Sequence, residues 1–286
     1  MSDQPYGVID TVCTLNVPDE DGQYQVWSGL GADKLRMSDE MLRGPSPEQL
    51  VEQMDAAGVA RALLLAPRAG PHQNVSSTRS TYEGVARLVE RYPDRFLARA
   101  GFDPTEGREG LRRLREAVRD MGYVGAHLYP HWFGWPPDDR RYYPFYATCA
   151  ELDIPVQMQV GQTLLYLPGV YLQSLGRPIT LDTVACDFPE IRIIGIHTGQ
   201  PWMEEMISVA WKHPNVYIGA DTWLPRSWKQ ELVHFINSWG QDKVIFGTGY
   251  PLVEPGKALQ QINAHGLRPE AKRKLLHDNA VRVFKL

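Results

Sequence analysis

Short apolar runs recur along the chain and alternate with longer stretches whose apolar positions fall three and four apart. GVIDTVC from Gly7, RALLLA from Arg61, FLARAGF from Phe96 and YVGAHLY from Tyr123 read as buried strands. PVQMQVG from Pro155, IRIIGIH from Ile191, VYIGAD from Val216 and VIFG from Val244 continue the series to eight. The clearest helix lies in SPEQLVEQMDAAG: Ser46 caps it, Pro47 takes the first helical position, Gln49 completes a capping box and Gly58 ends it. Further helices are expected near Tyr82 to Tyr92, Glu109 to Asp120, Tyr143 to Leu152, Leu181 to Phe188, Met203 to His213, Trp228 to Trp239 and Pro269 to Phe284. Strand and helix alternate with no linker between them. The expected fold is therefore α/β, a single (β/α)8 TIM-type barrel forming one domain over residues 1–286.

Composition supports this reading and narrows the function. An apolar content of 43% over 286 residues can fill a deep core, and a formal charge of −4 without a basic run excludes a nucleic-acid track or an anionic-membrane patch. Cys13, Cys149 and Cys186 are odd in number and widely spaced, which is neither a disulfide framework nor a Cys-x-x-Cys site. With no leader-like start and no membrane-length apolar run, a cytoplasmic protein is expected. No Gly-x-Gly-x-x-Gly fingerprint or Walker loop is present, so no nucleotide cofactor is expected.

In such a barrel the chemistry sits at the carboxyl ends of the strands. His197, in IGIHTGQPW, stands where the sixth strand opens into a Gly and Pro loop, and is the leading catalytic candidate; a core histidine bonded to backbone is the alternative. His127 and Tyr129 share a face of the fourth strand, with His131 just beyond. Gln157 and Gln159 share a face of the fifth, and two primary amides there need several partners, a role substrate oxygens would fill. Asp221 ends the seventh strand, where it can orient His197 or cap a helix. Arg68 follows the second strand and could clamp a carboxylate, while Asp103 reads as a turn residue. The segment LYPHWFGWPPDDRRYYPFY is dense in rings: Trp132 and its neighbours could wall a pocket for a flat ligand, form a lid or make an oligomer contact. His72, His213, His234, His265 and His277 read as surface residues.

Several motifs in order resemble the amidohydrolase-related group of the amidohydrolase superfamily, which includes aminocarboxymuconate semialdehyde decarboxylase and benzoate decarboxylases. DFPEIRIIGIHTGQPW is similar to the family's sixth-strand stretch, HPNVYIGADTW to its Pro-Asn-Val-Tyr strand, DKVIFGTGYP to its Phe-Gly-Thr-Asp-Tyr-Pro strand, and DNAVRVFKL to its tail. The resemblance implies a metal centre built from a His-x-His pair, two further histidines and an eighth-strand Asp. Val12, Thr14, Gln159 and Gly249 stand at four of those five positions, and His197 alone matches. A metal at the usual place is therefore not expected.

The resulting expectation is a metal-independent enzyme that uses acid–base chemistry on a polar or carboxylated cyclic small molecule, by decarboxylation, isomerisation or hydrolysis. His197, Asp221 and His127 would be catalytic, with Tyr129, His131, Gln157, Gln159, Arg68, Trp132 and Tyr250 binding substrate. No metal, cofactor, nucleic acid or membrane partner is expected, and the resemblance implies a homo-oligomer. The alternative is a non-catalytic relative that binds a ligand or partner, recognisable by a cavity packed shut around Trp132 or Trp223.

Overall fold

The computed structural model describes residues 6–15, 44–68, 81–163 and 172–286. Eight parallel strands follow one another in chain order: β1 (Val8–Cys13), β2 (Val59–Ala66), β3 (Phe96–Gly101), β4 (Gly125–Leu128), β5 (Val156–Gln159), β6 (Ile193–Ile196), β7 (Val216–Ala220) and β8 (Val244–Phe246). The barrel closes where β1 meets the end of β8. Gly249 N–H and Tyr250 N–H donate to Val12 O at 2.9 and 3.1 Å, and Thr14 N–H donates to Tyr250 O at 2.9 Å.

Local signals explain the elements. Ser46 and Gln49 make the reciprocal capping box at the head of helix Pro47–Ala57, and Gly58 stops that helix in the left-handed region, with φ 76°. Asp103 accepts from Thr105 N–H at 2.8 Å and so caps the turn after β3. Two residues of the family-like motifs serve the frame. Asn215 donates to Phe188 O and Ile191 O, tying the start of β7 to the loop before β6. Asn279 donates to Gln241 O and Val244 O, tying the C-terminal helix to β8.

The C-terminal segment also decides which end of the barrel is open. Ala280, Val283 and Phe284 pack with Ile9, Leu63, Ile194 and Ile245 inside the barrel, and Phe284 lies against Gly125 at the start of β4. The amino ends of the strands are thereby plugged. The carboxyl ends are left for a site.

Several expectations change. Helix Pro255–Ala264 was not foreseen, and the helix expected from Trp228 to Trp239 covers only Gln230–Ile236, because Pro225–Ser227 forms a separate 3-10 turn. The aromatic segment is not an exposed loop: it carries a helical turn at Pro130–Phe133 and a 3-10 turn at Arg140–Tyr142, and Trp132, Phe133, Tyr142, Phe145 and Tyr146 are buried. Their packing, including Phe102 stacked on Phe145 at 4.8 Å, makes these rings part of the core. His213 is buried, not superficial, with Nε2 2.7 Å from Asp182 Oδ1, and His265 stacks on Trp228; His72 lies outside the described residues.

Candidate active site

A cavity of about 360 Å³ opens at the carboxyl ends of the strands. Val12 and Thr14 of the β1 end, Gln159 of β5, His197 after β6 and Gly249 with Tyr250 after β8 form its floor and walls, and Tyr129, Trp132 and Trp223 supply aromatic sides. A hollow of about 940 Å³ along the Arg108–Asp120 face is larger, but Arg112 and Arg115 there pair with Glu109, Glu116 and Glu151. That hollow is a wet helix surface.

His197 and Asp221 meet across the ends of β6 and β7. His197 Nδ1 lies 2.6 Å from Asp221 Oδ2, and the His197 backbone N–H donates to Asp221 Oδ1 at 2.9 Å. Both carboxylate oxygens are thus committed to one histidine, and Asp221 is buried. With Nδ1 taken, Nε2 is the ring nitrogen offered to the cavity that His197 lines. His197 and Thr198 both sit at positive φ, 65° and 56°, a costly conformation for residues other than glycine that aims the imidazole out of the strand.

The neighbouring polar groups divide by depth. Gln159 is 4% exposed and lines the cavity, and its Oε1 has no hydrogen-bond donor among the described residues. Trp132 stacks on Tyr129 at 3.8 Å, and its buried Nε1 is likewise without a partner among them. Burial raises the Tyr129 phenol above its usual range. His127 has its ring 4.1 Å from that of Tyr129; among the described residues neither of its nitrogens has a partner, and burial followed by the Arg99 charge holds its pKa well below the usual value.

Besides Asp221, which lies behind His197, four candidates from the sequence are not brought to the cavity wall. Gln157 faces the barrel interior, where it accepts from Arg99 Nη1 and donates to Thr11 O at 3.3 Å, so its amide is satisfied by protein. Arg68 is buried over the Tyr82 ring, 4.6 Å from its centroid. His131 Nε2 pairs with Gly161 O at 2.9 Å, and burial lowers its pKa to about 4. His127 is separated from the cavity by Tyr129. These placements follow from strand pleat and loop course, which strand-end position alone does not convey.

Three residues escaped the sequence reading. Asp10, fully buried, accepts from Thr248 N–H and Oγ1–H at 2.9 and 2.6 Å, stitching β1 to β8. Arg99, fully buried, crosses the barrel to Gln157 and to Leu63 O at 3.1 Å. Each is the lone charge inside an apolar strand run, a signal that was available. Thr222, which lines the cavity and donates to Asp221 Oδ2 at 3.0 Å, had no signal beyond its place after Asp221.

The residues at the family's metal positions do not fit a transition metal. Val12 and Gly249 offer no donor and Thr14 and Gln159 offer only neutral ones, which leaves His197 as the single imidazole at those five positions. A group with suitable ligand types occurs elsewhere among the described residues, Asp182, Cys186 and His213, with ligand atoms within 4.8 Å. There Asp182 Oδ1 is already paired with Lys212 and His213.

The fold and cavity define a TIM-barrel protein with a cavity at its carboxyl face. The chain belongs to the amidohydrolase family, whose model matches residues 16–286. It is 23% identical over 287 residues to a gamma-resorcylate decarboxylase of Rhizobium, covering 82% of this chain and 85% of that protein. It is 26% identical over 161 residues to a 2-keto-4-carboxy-3-hexenedioate hydratase of Sphingobium, an alignment that spans only 46% of that protein. Among solved structures, an uncharacterised TIM-barrel protein of Bordetella bronchiseptica superposes with TM-score 0.78 at 24% identity, over 98% of this chain and 99% of that one. A 5-carboxyvanillate decarboxylase of Novosphingobium aromaticivorans superposes with TM-score 0.73 at 18% identity, over 99% and 97%. That structure contains manganese. Metal-free chemistry therefore does not follow from the fold or the family, and the expectation of it is narrowed to this chain's own donor residues.

Proposed function

We propose that this chain is an acid–base enzyme that acts on a carboxylated cyclic small molecule without a metal at the family's usual position. The observation that carries the reading is the His197–Asp221 pair at the cavity wall, with Nδ1 engaged by the carboxylate so that Nε2 is the nitrogen left for a ligand. Asp221 fixes the tautomer and stabilises the imidazolium, so Nε2 can deliver a proton to a carbon or remove one. In a decarboxylation, His197 Nε2–H would protonate the ring carbon bearing the carboxylate. The electrons of the breaking carbon–carbon bond would restore the ring, and carbon dioxide would leave.

The walls suit such a ligand. Tyr129, Trp132 and Trp223 would flank a flat ring, and Gln159 Oε1, an acceptor with no donor, would take a substrate hydroxyl. The relatives named as decarboxylases act on aromatic acids by their names. A cavity packed shut would favour the non-catalytic alternative; the described residues leave the cavity open, and turnover is what separates an enzyme from a relative that only binds a ligand.

A panel of hydroxybenzoates and unsaturated carboxylic acids, incubated in deuterium oxide, tests the reading. Carbon dioxide release or deuterium at carbon is expected from the wild type, and about a hundredfold less or lower from His197→Gln. Turnover that survives His197→Gln, or that rises in proportion to added manganese, refutes it.

A further inference from the structure

Gly249 stands where the resembled family carries its carboxylate, and its surroundings show why no side chain grows there. Its φ is 70°, and a Cβ built on it would fall on Thr222 Oγ1 and lie 2.9 Å from Thr222 Cα and 3.0 Å from Thr222 Cβ. Thr222 is itself at φ 65°, which β-branched residues rarely adopt. Two contacts hold it there. Its N–H donates to Thr248 O at 3.1 Å, and its hydroxyl donates to Asp221 Oδ2 at 3.0 Å, the oxygen that also faces His197 Nδ1.

Two further glycines crowd the same carboxylate. A Cβ on Gly219 would lie 2.9 Å from Asp221 Oδ1, and one on Gly247 would lie 3.0 Å from Asp221 Cβ. The ends of β7 and β8 therefore form a slot of bare Cα positions around the Asp221–Thr222 dipeptide.

We propose that Gly249 is a positioning residue: with no side chain there, nothing displaces the Thr222 residue packed against it, and the preceding Asp221 carboxylate stays seated on His197. The site's carboxylate then comes from β7, and the bare β8 end is the steric condition for it. The proposal deepens the reading of the His197–Asp221 pair given above, and its test needs no substrate.

The test is proton–nitrogen NMR of protein labelled with 15N-histidine, with the His197 signals assigned by their loss in His197→Gln. The wild type should show a downfield, slowly exchanging Nδ1 proton. Gly249→Ala should lose it or exchange it at least about tenfold faster, the scale of one charge-assisted hydrogen bond. Thr222→Gly, which tolerates positive φ and removes the colliding Oγ1 and Cβ, should keep the signal, and Thr222→Gly with Gly249→Ala should regain it. Should Gly249→Ala fail to fold, the double variant decides: a folded double variant with the signal supports the proposal. A folded Gly249→Ala protein with a wild-type signal overturns it, as does a double variant that is unfolded or silent, or a wild type without the signal. Loss of turnover measurements in His197→Gln bears on the proposed function and leaves this result intact.

Discussion

Replacing Arg99 by Met probes the polar core beneath the site. The guanidinium is fully buried and donates to Gln157 Oε1 and to Leu63 O, while its Nε has no partner. Hydrogen bonds to a charged group contribute about 1.5–3 kcal/mol each, so two of them amount to roughly 3–6 kcal/mol. Against this stands the cost of burying the cation, which depresses its pKa to about 10 and which Met would not incur. Arg99→Met also leaves Gln157 Oε1 and Leu63 O unpaired in the barrel, a loss that Met packing does not repair. The net expectation is a destabilisation of about 3 kcal/mol.

Urea unfolding at neutral pH, followed by tryptophan fluorescence, measures it. The second arm is a double-mutant cycle. Gln157→Leu in the Arg99→Met background should recover at least about 1 kcal/mol, because it removes the stranded acceptor rather than a satisfied one. A single variant within about 1 kcal/mol of wild type, or a cycle with no coupling, would refute the claim that Gln157 serves Arg99 and not substrate.

Asp221→Asn should cut turnover of a discovered substrate by about a hundredfold or more while the protein stays folded, since the amide cannot stabilise the imidazolium; steady-state kinetics with circular dichroism as control decide this. Gly249→Asp should not create a metal site: equilibrium dialysis against manganese should show well below one equivalent bound, and a full equivalent would overturn the steric account of the β8 turn. Burial raises the Asp10 pKa, with the Thr248 hydrogen bonds opposing it. An acid with a raised folded pKa contributes its full stability below its unfolded value, and loses it as pH rises through the folded one. The stability of Asp10→Asn relative to wild type should therefore improve from about pH 4 toward neutrality in parallel urea titrations, and a difference independent of pH would contradict the assigned direction.

The eight strands were legible because apolar runs of strand length alternate with amphipathic helices, and that pattern leaves few folds open. Strand-end position likewise led to His197 and Asp221, since a polar residue closing an apolar run is conspicuous. Depth was not legible. Gln157 and Gln159 share a face two residues apart, yet one is consumed by Arg99 and the other lines the cavity, because the outcome depends on a cation arriving from β3. The aromatic segment was legible only in part: Trp132 does line the cavity, but ring density did not reveal that Phe133, Tyr142, Phe145 and Tyr146 pack into the core.

Gly249 shows the limit most clearly. In the sequence it is an absence, one missing carboxylate among four departures from the family's ligand set. In the structure its positive φ and its contact with Thr222 belong to the same arrangement that brings Asp221 to His197. A side chain at Gly249 and this inward Thr222 would need the same space, so the bare β8 end and the Asp221 carboxylate on β7 belong to a single steric arrangement. Backbone conformation carries that choice, and residue type alone does not reveal it.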